Sequence, residues 1–352
     1  MHQKHLRALH HILFEWWRSA GRVLPWREKC VEVEAQPLDP EKLEKNQLTL
    51  RDEAFQQYFA DQLRRDPYRV VVAEIMLQQT QVDRVINKYQ VWMKTWPRVQ
   101  DLARAELSEI LTSWQGLGYN RRARFLWLLA REIIEYHDGV WPTTEEELLK
   151  LPGIGKYTAR AVMSFAFGQE VAVVDTNVKR VFRRLLEGTE TNALPVKSER
   201  EWFIWADQLL PPGQVDPWNQ LVMDFGALIC TAKAPKCEAC PAKHFCQAQS
   251  KANQAGFATY RELLLFEKQS PSLLQPLAAG ISKPQLRFKD TDRFFRGRII
   301  DQLRASSRTE DELRQIMSEE FGLSDELRFS KLITDLIAEK LMSRHGDRLT
   351  LG

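Results

Sequence analysis

Four of the chain's five cysteines lie in one short segment, with the spacing C-x6-C-x2-C-x5-C. They are Cys230, Cys237, Cys240 and Cys246. The N-terminal residues lack the uninterrupted apolar core of a secretion signal, and in such a chain clustered cysteines favour thiolate ligation of a metal over disulfide bonds. Four thiolates can hold either a structural zinc ion or an iron–sulfur cluster, and the spacing alone leaves both possibilities open.

Composition and charge set wide limits on the fold and function. The chain has 352 residues, 44% hydrophobic and 28% charged, which is enough for two or three domains with their own cores. No apolar run approaches the roughly 20 residues that cross a bilayer, so we expect no membrane partner. The net charge of +3 is compatible with nucleic-acid binding without establishing it. The cluster of Arg121, Arg122 and Arg124, and a second one within 179–184, indicate either DNA contact or a solvated helix face.

Apolar residues recur at helical spacing from residue 4 to about 250, which predicts an all-α fold over this range. The predicted helices span 4–20, 68–80, 82–95, 106–115, 121–137, 145–151, 156–167, 176–187, 198–210 and 217–230. We interpret residues 28–66 as an insertion, because they are charged and poor in periodicity. We interpret residues 251–290 as a linker, because prolines and glycines interrupt them.

The last segment of the chain has a different pattern. Helical spacing recurs over 294–303 and 329–340, and Thr309 with Glu312 forms a capping-box pattern at the start of another helix. Two short alternating stretches within 341–351 predict a hairpin. Three helices followed by a hairpin indicate a winged-helix-like domain, whose third helix commonly enters a DNA major groove. Such domains also dock other proteins, and the pattern favours neither role.

The segment Leu151-Pro152-Gly153-Ile154-Gly155-Lys156 lies between two predicted helices. Its two glycines allow a tight turn and bring bare backbone N–H groups to the start of the second helix, where the helix dipole favours an anion. An ordinary turn between helices would also explain the glycines. With Leu-Pro before it and Lys after it, the segment resembles the hairpin of helix-hairpin-helix proteins, which binds a DNA backbone without reading sequence.

About twenty residues later, the apolar run 171–174 leads into Asp175-Thr176-Asn177. An aspartate before a helical pattern is an ordinary N-cap, and taken alone Asp175 is best explained in this way. Its position after the hairpin in the sequence suggests a further role.

Taken together, these segments resemble the helix-hairpin-helix DNA glycosylases related to endonuclease III and the MutY-type adenine glycosylases. The resemblance covers most of residues 20–250. Besides the hairpin and Asp175, the motifs that occur in family order are residues 24–27 (LPWR), 73–82 (AEIMLQQTQV), 116–119 (GLGY), 223–227 (MDFGA) and the four cysteines.

The resemblance implies an all-α, helix-hairpin-helix DNA glycosylase fold, to which the pattern of the last segment adds a C-terminal winged-helix-like domain. It implies one four-iron four-sulfur (4Fe-4S) cluster, rather than zinc, on the four cysteines. The resulting domain organisation is a glycosylase core at 1–27 and 67–250 with an iron–sulfur cluster loop at 230–246, an insertion at 28–66, a linker at 251–290 and the winged-helix-like domain at 291–352.

The resemblance also implies a base excision repair enzyme that binds double-stranded DNA with a mispaired or damaged base, as a monomer in the cytoplasm, associated with the nucleoid. Asp175 matches the catalytic carboxylate that faces the sugar, and Glu74 matches the acid that protonates the purine. Glu74 lies among apolar residues, which favour a protonated carboxyl. Further positions that match DNA or substrate contacts are Gln78, Gln79, Tyr119, Gly153, Gly155, Lys156, Tyr157, Asn177, Lys233 and Lys236.

Several of these positions have simpler explanations. Gln78 and Tyr119 could be packed helix or loop residues, and two lysines in a short loop are often only solvated. Tyr157 bears on a further activity, because bifunctional relatives have a lysine there that forms a Schiff base with the sugar. Tyrosine cannot do so, and Lys156 is one residue early. We therefore expect a monofunctional glycosylase.

The chain departs from the MutY pattern at several points, which leaves the target base open. Residues 174–177 are partly like endonuclease III, the hairpin resembles that of archaeal thymine mismatch glycosylases, and the nucleotide-hydrolase-like domain that recognises 8-oxoguanine is not found in the sequence. We expect removal of adenine opposite 8-oxoguanine or guanine. The alternatives are removal of thymine or uracil opposite guanine, and a non-catalytic iron–sulfur DNA-binding protein.

Overall fold

The computed structural model describes residues 3–27, 65–188, 197–269 and 287–352. Over these residues the predicted all-α fold is confirmed. The helices that precede the C-terminal segment are α1 (Gln3–Ala20), α2 (Pro67–Leu77), α3 (Val82–Thr95), α4 (Val99–Arg104), α5 (Leu107–Ser113), α6 (Arg121–Tyr136), α7 (Glu145–Leu148), α8 (Lys156–Phe165), α9 (Thr176–Phe182), α10 (Glu199–Asp207), α11 (Val215–Leu228), α12 (Gln247–Gln254) and α13 (Tyr260–Gln269). None of the described helices is long and apolar enough to cross a membrane.

The C-terminal segment consists of α14 (Asp292–Ala305), β1 (Arg308–Thr309), α15 (Glu310–Phe321), α16 (Glu326–Ala338), β2 (Met342–His345) and β3 (Arg348–Leu351). The strands form an antiparallel sheet in the order β1-β3-β2. Thr309 caps α15 in a capping box with Glu312, as the sequence pattern predicts. Strand β1 has only two residues, which is too few for an alternating pattern, so the sequence does not predict it.

The chain divides into two compact units. The first unit comprises Met1–Arg65 and Ala159–Gly280, and the second comprises Asp66–Thr158 and Ile281–Gly352. Helix α8 crosses the division after its third residue. The segment predicted as one glycosylase core therefore contributes to both units, and the C-terminal segment belongs to the same unit as residues 66–158.

The core of the first unit forms where α1, α9, α10 and α11 bury their apolar faces, with Leu13, Phe182, Trp218 and Phe225 among the buried side chains. Beside this core lies Asp224, whose side chain is fully buried. It accepts hydrogen bonds from the indole of Trp17 and from Arg22 and Arg27. Burial alone would raise the pKa of Asp224, but the hydrogen bonds and the charge of Arg27 outweigh it and lower the pKa.

The second unit buries aromatic side chains of α2, α3 and the following residues. The Tyr68 hydroxyl donates to the Trp96 carbonyl at 2.8 Å and accepts from the Trp92 indole at 3.1 Å. Helix α2 begins where the Asp66 carboxylate caps the Tyr68 N–H and Pro67 occupies the first turn. This helix places the AEIML segment in the core of the unit.

Part of the predicted linker at 251–290 is helical, and that part of the prediction is wrong. Helix α12 extends to Gln254, and α13 runs over 260–269. Gly256, with φ at 84°, makes the turn between these helices, and Tyr260 and Leu264 pack on Ala248 and Ala252. The prolines that suggested a linker all follow α13. The insertion at 28–66, apart from its last two residues, lies outside the described residues.

Candidate functional site

The hairpin has the geometry expected of a phosphate clamp. Thr144 caps α7, and the chain then turns through Leu151–Gly155 into α8. Gly153 has φ at 77°, and a Cβ there would lie 2.7 Å from Cβ of Phe125, so no other residue fits without movement. A Cβ at Gly155 would meet nothing within 4 Å, and this glycine is exposed. The backbone at the start of α8 is therefore open to an anion.

Lys156 and Tyr157 occupy the first turn of α8, and both are half-buried. Tyr157, at the position where bifunctional relatives have lysine, offers no amine to the substrate. Lys156 is the N-terminal residue of the helix, where its ammonium adds to the positive end of the helix dipole.

Asp175 is the N-cap of α9. One carboxylate oxygen accepts the Val178 N–H at 2.7 Å, and the other accepts the Asn177 side-chain amide at 2.8 Å. The side chain is half-buried. The capping role that the sequence suggests is therefore real, and it leaves each oxygen with remaining acceptor capacity for a substrate.

Asn177 connects Asp175 to the loop that contains the first cysteine. Its carbonyl oxygen accepts from Arg180 at 2.9 Å. The same guanidinium donates to the Gly226 carbonyl at 2.8 Å and to the Cys230 carbonyl at 3.0 Å. Because these bonds form a continuous chain, they hold the Asp175 carboxylate in a defined orientation relative to the cysteine loop.

Arg184, one turn after Arg180, is a second arginine that holds this loop through hydrogen bonds. It is almost fully buried, and its guanidinium donates to the Thr231 carbonyl at 2.7 Å and to the Ala232 carbonyl at 3.1 Å. It also donates to the Cys230 thiol sulfur at 3.4 Å. The basic run within 179–184 therefore contains structural arginines, because carbonyls of the cysteine loop approach it.

All four cysteines line one cavity with an empty volume of about 380 Å³. Among the described residues, no three His, Cys, Asp or Glu side chains converge closely enough to hold a single metal ion. Four thiols around a common cavity are the donors that an iron–sulfur cluster requires. The residues present therefore fit the group that the resemblance implies.

The environment of the thiols also fits a metal group. Burial raises the pKa of Cys237, that of Cys240 to about 12 and that of Cys246 to about 11. These three thiols therefore keep their protons at neutral pH, and binding of a metal group would displace those protons. Lys233 and Lys236 lie exposed on the same loop.

Glu74 lies in α2 and is 7% exposed. Its neighbours Val72, Ala73, Ile75 and Met76 are all fully buried. Glu74 is therefore not an exposed helix residue, and its side chain is buried near the C-terminal end of α2.

Gln78 and Gln79 follow α2, and Tyr119 lies in the GLGY loop of the same unit. Gln79 and Tyr119 both have positive φ, at 56° and 48°, an uncommon conformation for residues other than glycine. Tyr119 is 39% exposed. Residues held in this conformation with exposed side chains are typical of contact sites.

Arg122 joins these two loops, and sequence reasoning missed its role. Its guanidinium donates to the carbonyls of Ile75 and Gln78 on one side and to those of Leu117 and Gly118 on the other. The side chain is 8% exposed, so a solvated helix face is the wrong interpretation for Arg122. Burial lowers its pKa to about 10, so it remains charged at neutral pH. Arg121, its neighbour, is exposed.

Comparisons with known proteins agree with these features. Residues 72–204 match the model of the HhH-GPD superfamily base excision DNA repair proteins. The human adenine DNA glycosylase is 39% identical over 69% of this chain and 39% of its own length. The adenine DNA glycosylase of Mycolicibacterium smegmatis is 35% identical over 95% of this chain and 92% of its own. A solved thymine-DNA glycosylase matches 70% of this chain and 98% of its own, with 29% identity and a TM-score of 0.56.

The chain therefore belongs to the HhH-GPD superfamily of base excision DNA repair proteins. Within this superfamily its sequence is of the MutY type, for which the curated relatives quoted above are adenine DNA glycosylases. The chain spans about two fifths of the length of the human relative and nearly all of the mycobacterial one.

Proposed function

We propose that this protein is a monofunctional DNA glycosylase that hydrolyses the N-glycosidic bond of adenine mispaired with 8-oxoguanine or guanine. The observation that carries the proposal is the Asp175 carboxylate, which two donors hold at the start of α9. In the sequence Asp175 follows a hairpin whose open backbone suits a phosphate. The match to an adenine DNA glycosylase over nearly the whole chain supports the choice of base.

Loss of a base leaves positive charge on the deoxyribose, and an ionised carboxylate stabilises that charge or orients the attacking water. Asp175 is suited to this role because the Val178 N–H and the Asn177 amide both donate to it. The two donors fix the orientation of the carboxylate before the substrate arrives.

The departing base needs a proton, because an adenine anion is a poor leaving group. We assign this proton to Glu74, whose buried side chain is largely shielded from bulk water. Gln78, Gln79 and Tyr119 contact DNA around the extruded nucleotide, and extrusion is required because the bond is inaccessible within the stack.

We propose that Cys230, Cys237, Cys240 and Cys246 hold one 4Fe-4S cluster. When bound, the cluster cross-links α11 to the loop that leads into α12 and supplies an electron-transfer centre. The loop that the cluster would stabilise includes Lys233 and Lys236. Because both lysines are exposed, they can contact phosphates. Iron and sulfide analysis of the purified protein tests this assignment, with about four of each per chain expected.

The activity is tested with four duplexes that contain adenine opposite 8-oxoguanine, adenine opposite guanine, thymine opposite guanine, or uracil opposite guanine. Adenine release from the first two, with strand breaks only after hot alkali, supports the proposal. Strand breaks without alkali, with a borohydride-trapped adduct, would show that lyase activity is present despite Tyr157.

Asp175→Asn tests the catalytic assignment. We expect at least a ~10³-fold loss in the single-turnover rate with duplex binding retained, because asparagine caps a helix as well as aspartate does. Asp325→Asn is the matched control, since Asp325 caps α16 through the same type of bond to a backbone N–H. A full rate in Asp175→Asn would reduce Asp175 to a helix cap.

A second candidate function is removal of thymine or uracil opposite guanine. The fold match to a thymine-DNA glycosylase at 29% identity favours it. In the same assay, release from the third and fourth duplexes alone would establish this alternative. Binding to all four duplexes without release of any base would instead indicate a non-catalytic DNA-binding protein.

A further inference from the structure

A solvent-open cleft lies within the second unit, between the N-terminal half of α14 and the loops that contain Gln79 and Tyr119. Its empty volume is about 1670 Å³. Helix α14 is held beside it by Arg304, which donates to the Leu111 carbonyl at 3.0 Å and to the Asn120 side chain at 3.0 Å. The C-terminal segment therefore forms one wall of the cleft.

The cleft is strongly basic. Its lining includes six arginines and only two carboxylates, Asp301 and Glu339. Both carboxylates are paired with lining arginines, Asp301 with Arg298 and Arg304 and Glu339 with Arg296. The remaining arginines are Arg84, Arg121 and Arg293.

These three arginines are exposed, and none forms an ion pair with a carboxylate within the described part of the chain. Three uncompensated cations around one cleft create a positive potential that attracts a polyanion. Arg98 and Arg131 of this unit differ, because each is paired with a carboxylate.

Arg293 also contacts Tyr119 directly. Its guanidinium lies 4.4 Å from the centre of the tyrosine ring and donates to the tyrosine hydroxyl. Arg122 lies 5.5 Å from the centre of the same ring. A residue of the C-terminal segment therefore helps to hold an exposed aromatic side chain at the edge of the cleft.

The third helix of the C-terminal segment, which commonly reads DNA in winged-helix proteins, is a poor candidate for that role. The exposed residues of α16 are Glu326, Leu327, Ser330, Lys331, Thr334 and Ala338. One lysine balanced by one glutamate gives little attraction for DNA, and arginine, asparagine and glutamine, the usual readers of bases, are missing from this face. The wing arginine Arg344 is paired with Glu310.

We propose that the cleft is a second DNA-backbone site, in which Arg84, Arg121 and Arg293 bind phosphates of the duplex. The C-terminal segment thus contacts DNA through its first helix, α14, instead of its third. The proposal rests on the proposed function in one respect, that the ligand is duplex DNA. Arg293 additionally acts as a positioning residue for Tyr119.

The test is the salt dependence of duplex binding by the full-length protein. The triple variant Arg84→Gln/Arg121→Gln/Arg293→Gln is compared with Arg98→Gln/Arg131→Gln/Arg314→Gln, which removes the same charge from paired arginines of the same unit. Each lost phosphate contact reduces the slope of log affinity against log salt by about 0.9. We expect a reduction of about 2 to 3 for the cleft variant and less than about 1 for the control.

Arg293→Lys separates the two roles of this residue. Lysine keeps the charge but loses the planar stack on Tyr119, so we expect the wild-type salt slope together with a changed fluorescence of 2-aminopurine placed opposite the target base. A reduced slope in Arg293→Lys would contradict phosphate binding by charge at this position. Wild-type fluorescence would contradict the positioning role.

The outcomes distinguish this proposal from the proposed function, because binding is measured on an undamaged duplex and base release on the mispairs. If the cleft and control variants have equal salt slopes while the wild-type protein releases adenine, the cleft proposal is wrong and the proposed function stands. If the slopes differ as expected and no duplex loses a base, the cleft proposal stands and the glycosylase assignment is wrong.

Discussion

Two buried ionic side chains, Asp224 in the first unit and Arg122 in the second, have opposite signs, and each joins segments that are distant in the sequence. In the first unit the anion Asp224 is surrounded by donors from Trp17, Arg22 and Arg27. In the second unit the cation Arg122 is surrounded by carbonyl and hydroxyl acceptors that belong to two loops. A buried ion of either sign is tolerated only when its hydrogen-bonding capacity is satisfied, and the sign then decides how the unit responds to pH.

The comparison also shows what each ion holds together. Asp224 joins the LPWR and MDFGA motifs, which lie far apart in the sequence and near α1 and α11 in the structure. Arg122 joins the loops that present Gln78, Gln79 and Tyr119. The first ion therefore stabilises a scaffold, whereas the second shapes a surface that we propose contacts DNA.

The largest effect is expected for Asp224→Leu. Removing one partner of a buried ionic network leaves the others buried and unpaired, which costs about 3 to 5 kcal/mol of unfolding free energy. Urea unfolding measures the loss, and hydrogen exchange should locate it in peptides of α1 and α11. Glu15→Leu, at an exposed pair with Arg18 in the same unit, is the control and should change little. A loss spread equally over both units would contradict the assignment of Asp224 to one scaffold.

A somewhat smaller loss of about 2 to 3 kcal/mol is expected for Arg122→Met, because the methionine fills part of the space but leaves loop carbonyls without a donor. Exchange should increase in the segments 75–80 and 116–120, and duplex affinity should fall with it. Arg121→Met, at the exposed neighbour, should leave stability unchanged. Unaltered exchange in both loops would show that Arg122 does not hold them.

The comparison explains which parts of the site the sequence could reveal. The hairpin glycines, Asp175 and the cysteines follow each other at characteristic spacings, so a local motif was enough to find them. Arg122 lies in a run of arginines with Arg121 and Arg124, and its burial depends on two loops that approach it only in the folded unit. No periodicity encodes that approach.

The helices also differ in whether local sequence patterns are enough to predict them. Helix α3 was predicted with its observed ends, because its apolar positions repeat regularly and its neighbours are turns. Helix α13 was missed, because the glycines and prolines on either side of it indicated a linker and outweighed its apolar residues, which pack on α12 in the structure. Long-range packing, which local patterns do not contain, decides such cases.

Asn177→Ala is expected to reduce the single-turnover rate about 10-fold, a smaller effect of about 1.4 kcal/mol. The variant removes one of two donors to Asp175 and breaks the link to Arg180, but the Val178 N–H still holds the carboxylate. Thr176→Ala, at the exposed neighbouring residue, is the control. A positioning role also predicts that duplex affinity and the urea unfolding midpoint of Asn177→Ala stay at the wild-type values. A slower rate accompanied by a matching loss of stability would indicate a purely structural role.

The last and smallest effect concerns the response of the two units to acid. The pKa of Asp224 is lower in the folded protein than its ordinary value, so the unfolded chain takes up a proton first as the pH falls. The stability from Asp224 is therefore fully present above the ordinary aspartate range and is lost as the pH falls through the lowered pKa, by at most about 1.4 kcal/mol per pH unit. Arg122, with a pKa of about 10, keeps its charge throughout this range.

Hydrogen exchange measured between pH 6 and pH 3 should therefore distinguish the two units. Asp224→Leu should flatten the dependence of stability on pH in the first unit, whereas Arg122→Met should lower the stability of the second unit without changing its pH dependence. Equal slopes in wild type and Asp224→Leu would show that the buried anion is not the acid-sensitive group.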